Sequence, residues 1–201
     1  MEVNVPLPPP RSCSALSVEE ALRRRCSIRS YLDQPLSLAE LGQLLWSAQG
    51  IHEGRRCAPS AGATYPLEAF AVVGRVEDLE PGVYQYLPLD HALSLHLVGD
   101  QRLKLSRACL DQRFIAQAPL SLLISAQYER TTLRYGERGV RYVHMEVGHV
   151  GQNVALQALS LGLDTVMIGA FWDDQVAECL KLPPELQPLC VIPVGRRTRG
   201  R

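Results

Sequence analysis

Residues 141–161 read RYVHMEVGHVGQNVALQALSL. Val143, Val147, Val150, Val154, Ala158 and Leu161 recur at spacings of three and four, which puts them on one face of an α-helix. Gly148, Gly151 and Ala155 add small residues that would let a second helix come close, and Gly162 suits the residue just past the helix end. Around this helix lie short apolar runs of strand character. LEAFAVVG (67–74) reads as one strand, and VYQYL (83–87) with ALSLHLV (92–98) as a hairpin joined near Pro88–His91. PLSLLISAQ (119–127) reads as a buried strand opened by its proline. TVMIGAF (165–171) and LCVIPVG (189–195) complete the set, with a short helix in WDDQVAECLKL (172–182) between them. Interleaved short strands and helices predict an α+β fold, with a mixed, mainly antiparallel sheet flanked by helices.

Start signals place the remaining helices. Ser17 with Glu20, before VEEALRRR, has the spacing of a capping box, and so has Ser37 with Glu40 before LAELGQLLWSAQ, which Gly50 ends. Residues 101–114 read as helical. Residues 52–66 are polar, punctuated by Gly and Pro, and long for a loop in a compact domain; such loops are usually functional. Pro8-Pro9-Pro10 makes residues 1–16 an extended arm. A single domain is expected over 17–197, followed by a basic tail at 198–201.

The composition is that of a globular protein: 201 residues, 46% hydrophobic and 21% charged. Basic and acidic residues balance at 21 each, which argues against a general nucleic-acid or anionic-membrane surface. No apolar run is long enough for a membrane span, and the Pro-rich N-terminus lacks the apolar region of a signal peptide. The six cysteines form no C-x-x-C pair, so they read as reduced thiols of a cytoplasmic protein. All but two of the basic residues are Arg, the exceptions being Lys104 and Lys181. An Arg fork suits phosphate and carboxylate. Arg23, Arg24, Arg25 and Arg29 gather around the end of the first helix, where they would also complement its dipole, and Arg196 and Arg197 follow the last strand.

Neither G-x-G-x-x-G after a strand nor G-x-x-x-x-G-K-[ST] occurs, so any bound phosphate must be held by side chains. His144 and His149 in HMEVGH are five apart, about 140° around a helix, and do not share a ligating face; no metal site is expected. Ser60 in PSAGAT is not in a nucleophile elbow.

Taken in order, RRCSIRSY (24–31), RRCAPSAGATYPLEAF (55–70), RYGERGVRYVHMEVGHVGQN (134–153), LGLDTVMIGAFWDD (161–174) and VIPVGRR (191–197) resemble the nitroreductase superfamily, and within it the SagB/ThcOx-type dehydrogenases. The resemblance implies non-covalent FMN at the interface of a homodimer. It implies phosphate and ribityl contacts from Arg25, Ser27 and Arg29, closed by Arg196 and Arg197. It places Pro59, Ser60, Ala61 and Gly62 beside the flavin ring of the partner subunit, and the backbone N–H groups of Gly169 and Ala170 at the flavin N5 and O4 edge. Members that oxidise peptide azolines carry Lys-Tyr where this chain has Arg134-Tyr135. An Arg that stays charged is a poor general base, which tells against azoline oxidation; Tyr135 is left as the candidate proton donor. The implied activity is ping-pong hydride transfer from NAD(P)H or an organic donor to a small acceptor such as a nitroaromatic or quinone. The alternatives are dehydrogenation of a modified peptide or metabolite, and a flavin-binding module without turnover.

Overall fold

The computed structural model describes residues 4–198. In chain order these form β1 (Asn4–Pro6), α1 (Val18–Arg24), α2 (Leu38–Gln49), β2 (Ile51–His52), β3 (Arg55–Arg56), a 3-10 turn (Ala61–Ala63), β4 (Leu67–Val73), β5 (Gly82–Leu87) and β6 (Ala92–Val98). There follow α3 (Arg102–Ala108), α4 (Arg113–Gln117), β7 (Leu120–Ala126), α5 (Glu129–Tyr135), α6 (Arg138–Ser160), β8 (Asp164–Thr165), α7 (Asp173–Leu180) and β9 (Gln187–Gly195). Seven strands make one sheet in the order β1-β6-β5-β4-β7-β9-β8, and all its ladders are antiparallel.

The period of two along the central strands divides the core into two layers. Leu67, Ala69, Ala71 and Val73 of β4, with Leu120, Leu122 and Ile124 of β7 and Ile192 and Val194 of β9, face α2 and α6. Phe70 and Val72, Leu123 and Val191 face the opposite way, onto α3 and α7. Strands covered on both faces favour apolar residues on both, which is why LEAFAVV and LSLLISA do not alternate strictly; only Glu68, Ser121 and Ser125 in them are polar. Val143, Val147, Val150, Val154 and Ala158 of α6 are buried in the first layer as the periodicity predicts. Each buried Val contributes roughly 1.5–3 kcal/mol.

Several sequence expectations are corrected. Ser37 and Glu40 close a full capping box, but at α1 only Ser17 caps, because the Glu20 carboxylate turns to Arg23. The helix expected over 101–114 is two helices, broken where Leu110 and Asp111 both take left-handed backbone angles (φ 57° and 55°). TVMIGAF is not a continuous strand. Thr165 pairs with Val194 and Ile168 bridges to Val191, but residues 169–172 form a bend. Met167 turns onto α6, where Gly151 makes room for its sulfur; Gly151 thus admits a side chain rather than a helix. The 52–66 loop contains the β2–β3 hairpin and the 3-10 turn. The N-terminal arm joins the sheet through β1, and Gln43 fixes the backbone of Arg11 by accepting from its N–H and donating to its carbonyl. Of the expected basic tail, residues 199–201 lie outside the described residues. No helix among the described residues is long and apolar enough to cross a membrane.

Candidate functional site

The segment after α1 is laid against the end of the last strand. Ile28 N–H donates to the Thr165 carbonyl (3.0 Å), Leu32 N–H to that of Arg196 (2.8 Å), and Tyr31 bridges to Arg197. Tyr31 is the anchor: it is buried, and its hydroxyl donates to the carbonyl of Ile28 at 2.7 Å. Its ring packs on Gly195, where a Cβ would stand 3.0 Å from Tyr31 and 2.9 Å from Pro119. Burial, with Asp164 nearby, pushes the Tyr31 phenol up and keeps it neutral. Nothing in the sequence pattern marks Tyr31 for this role.

The arginines gathered here are not equivalent. Arg23 and Arg24 pair with Glu20. Arg196, expected at the phosphate, is instead committed to Glu40 at 2.6 Å and to the carbonyl of Pro35 at 3.1 Å. Arg197 keeps a looser contact with Asp164, 3.5 Å from Nε to carboxylate, and its side chain is about half exposed, at 47%. Arg25 and Arg29 are exposed and have no acidic partner among the described residues. Ser27 is exposed between them. A hollow of about 550 Å³ opens beside this edge, lined by Arg24, Gly162, Asp164, Arg196 and Arg197 among others. The chain thus offers uncommitted cations along one edge, the arrangement an anion requires in the absence of a glycine-rich loop.

The Gly169–Ala170 bend is held at both ends. Ile168 exchanges two backbone bonds with Val191, each 2.9 Å, and Trp172 N–H donates to the Ala108 carbonyl at 2.9 Å. Between these points the N–H groups of Gly169, Ala170 and Phe171 meet no acceptor among the described residues. Gly169 and Ala170 are exposed, and nothing lies within 4 Å of where a Gly169 Cβ would be. Such a run of unpaired donors on a fixed backbone is suited to a carbonyl or ring nitrogen of a ligand.

The Pro59–Gly62 segment belongs to a third group, at the start of α6. Ser60 Oγ accepts from Tyr65 N–H at 3.0 Å. Gly62 takes φ 59°, and a Cβ there would stand 2.4 Å from the Tyr135 hydroxyl, so both backbone and space exclude a side chain. Arg134 donates to the Gly62 carbonyl at 3.1 Å and lies 5.5 Å from the Tyr135 ring centre. Pro59 and Ala61 flank Ser60 within this coil, and Thr64 ties it to α5 through Thr131 (2.8 Å). The tyrosine and the glycine singled out separately in the sequence are therefore neighbours. Beneath them is Glu146, 3% exposed, whose carboxyl burial pushes up to about 7 against the opposing influence of the Ser60 hydroxyl and Arg56. In the sequence Glu146 looked like part of a failed metal motif; the flanking His144 and His149 are exposed, and His144 bonds Tyr128 at 2.6 Å. A separate cavity of about 650 Å³, between residues 11–18, the β2–β3 hairpin and α6, is lined by none of the expected site residues.

The sequence profile of the nitroreductase family matches residues 22–196, which include all three groups except Arg197. A protein of Methanocaldococcus jannaschii named "Putative nitroreductase MJ1384" is 47% identical over 199 residues, covering 98% of this chain and 97% of that one. The microcin B17-processing protein McbC of Escherichia coli is 32% identical over 133 residues, or 64% of this chain, which spans about half (49%) of its length. Among solved structures, one from Ralstonia eutropha superposes with a TM-score of 0.85 at 28% identity, over 98% of this chain and 90% of that one. The chain therefore belongs to the nitroreductase family of oxidoreductases and, within it, to the SagB/ThcOx-type branch.

Proposed function

We propose that the protein is an FMN-dependent oxidoreductase whose two active sites are each assembled from two copies of the chain. The observation that carries this reading is the clamped bend at 169–172, whose unpaired N–H groups form a ready-made edge for a flavin. Bound FMN would supply two-electron hydride chemistry at its N5, between NAD(P)H or an organic donor and a small acceptor. Arg25, Ser27, Arg29 and Arg197 would hold the phosphate; Arg196 steadies the edge from behind through Glu40. The Gly169 and Ala170 N–H groups would donate to the N5 and O4 edge and favour negative charge there, without reorganising during the reaction. The Tyr135 hydroxyl, resting on Gly62, holds or delivers a proton, and Arg134 positions the Gly62 carbonyl.

Two copies are needed because the groups lie far apart within one chain. Ser60 lies beside Glu146, while the hollow at the anion edge begins at Leu159, about 20 Å further along the helix axis. Pro59–Gly62 then serves the partner's flavin. The relation to McbC favours a second reading, dehydrogenation of a modified peptide or metabolite, which Arg134 in place of Lys disfavours. The deciding experiment is the visible spectrum of purified protein before and after NADH or NADPH, with analysis of the heat-released flavin. A yellow protein bleached by the donor and releasing FMN is expected. A colourless protein that cannot be reconstituted with FMN would overturn the proposal, and efficient thiazoline-to-thiazole conversion would install the second reading.

A further inference from the structure

We infer that Gln112, outside every motif of the site, is a positioning residue that aims the Gly169–Ala170 N–H groups at the flavin. The inference rests on the FMN reading above and adds a specific residue to it. Gln112 begins the short α4 and reaches across 58 positions of sequence: its Nε2 donates to the Ala170 carbonyl at 3.0 Å and to the Cys109 carbonyl at 2.8 Å. Both partners are carbonyls, so only the NH₂ end of the amide can face them, and its orientation is set by chemistry.

Among the described residues this is the one hydrogen bond that holds the bend between Ile168 and Trp172. The neighbouring backbone bonds act at those two ends, and between them the partly buried Phe171 side chain packs on the core without fixing the peptide planes by a hydrogen bond. A peptide's C=O and N–H point in opposite directions. Holding the Ala170 carbonyl against Gln112 therefore turns the N–H of the same peptide, that of Phe171, away from the α3–α4 corner and limits the rotation of the two N–H groups before it.

The corner itself is shaped to present this side chain. Leu110 and Asp111 both adopt left-handed angles, unusual for non-glycine residues and rarer still in succession. They end α3 and turn the chain so that Gln112 faces the bend instead of continuing the helix. Ser106 Oγ donates to the Gln112 carbonyl at 3.0 Å, and Ala108, the last residue of α3, supplies the carbonyl for Trp172 N–H. One corner thus holds the bend at two points, through a side chain at Ala170 and a backbone carbonyl at Trp172.

The test compares Gln112→Met, which keeps length without a donor, and Gln112→Glu, which puts an acceptor against the Ala170 carbonyl. Gln112 is only half-buried, so neither change empties the core. The readouts are the dissociation constant of oxidised FMN and the two-electron reduction potential of the bound flavin in full-length protein. Misaimed N–H groups should weaken the reduced state more than the oxidised one. For Gln112→Met we expect oxidised FMN to bind within about threefold of wild type, while the preference for reduced FMN falls about tenfold, a potential about 30 mV more negative. Gln112→Glu should shift it further in the same direction. A lower melting temperature with an unchanged potential in both variants would show that Gln112 is only structural, and would overturn this inference while leaving the FMN reading standing. Wild-type protein unable to bind FMN would overturn both.

Discussion

Arg196 and Arg197 are adjacent in sequence and differ in what occupies them. Arg196 is spent on Glu40, which also closes the α2 capping box; Arg197 has only a long contact with Asp164. Arg25→Ala and Arg197→Ala should therefore weaken FMN binding by about 10- to 150-fold each, the loss of one charge-assisted hydrogen bond. Arg196→Ala should instead cost about 1 kcal/mol of stability, a modest figure because the Arg side chain is one-third exposed (34%), with a much smaller effect on FMN. Fluorescence titration with FMN alongside thermal melts checks the contrast, and equal FMN losses at 196 and 197 would contradict it. Glu146 gives a second residue-level expectation. Its folded-state value of about 7 lies above the ordinary 4.5, so the unfolded chain releases its proton first as pH rises. The stability associated with the neutral carboxyl is fully present below about pH 4.5 and is lost as pH climbs through 7. Glu146→Gln should match wild type near pH 4 and exceed it at pH 8 by an amount on the order of 2–3 kcal/mol. Denaturant melts at the two pH values measure this; identical pH profiles would show that the burial of Glu146 carries no titration cost.

At the scale of elements, the two helix starts make a matched pair. Ser37→Ala removes a cap whose Glu40 reciprocates, whereas Ser17→Ala removes a single bond at an exposed helix end. The first should cost about 1–2 kcal/mol and the second about 0.5 kcal/mol. That corresponds to melting-temperature losses of several degrees against one or two, readable by calorimetry. These helices were legible because caps and periodicity are local properties of the chain. The central strands were legible for a related reason: burial on both faces writes a run that is mostly apolar on both. The break at Leu110–Asp111 was not, because Asp tolerates a left-handed angle without requiring one and Leu disfavours it; the break goes with the packing of α3 and α4 against the 169–172 bend. TVMIGAF was misread for the converse reason. Its apolar residues suit a strand, but Met167 and Val166 are drawn to different packing environments and only Thr165 and Ile168 keep partners on β9. In the site, residue types and order marked the arginines, the glycines and Tyr135. Which arginine was already paired, that Tyr31 anchors the edge, and that Gln112 braces the bend depend on contacts across 156, 162 and 58 positions of sequence, which no local pattern encodes.

At the scale of the whole molecule, α6 would both separate and serve the two proposed half-sites. Its inner face fills one layer of the core, and its outer face presents Val140 (40% exposed), Met145 (54%) and the open flank of Gly148, with Leu133 of α5 close to fully exposed at 88%. Exposed apolar side chains among charged ones, on a helix that carries the proposed half-sites at separate points along its length, are what an antiparallel pairing of two such helices would use. That pairing brings the Pro59–Gly62 end of one chain to the Arg25–Arg197 end of the other. A two-fold pairing also makes each substitution act twice, once from either side. Met145→Arg would add a charge next to Arg138 and Arg141, which already share that face in each copy. The expected result is a folded monomer with an unchanged far-ultraviolet spectrum that no longer retains FMN, seen by light scattering and by flavin absorbance after gel filtration. Wild type should elute as a homodimer carrying one FMN per chain. A wild-type monomer with stoichiometric FMN would place both half-sites within one chain and contradict the roughly 20 Å separation on which the shared-site proposal rests.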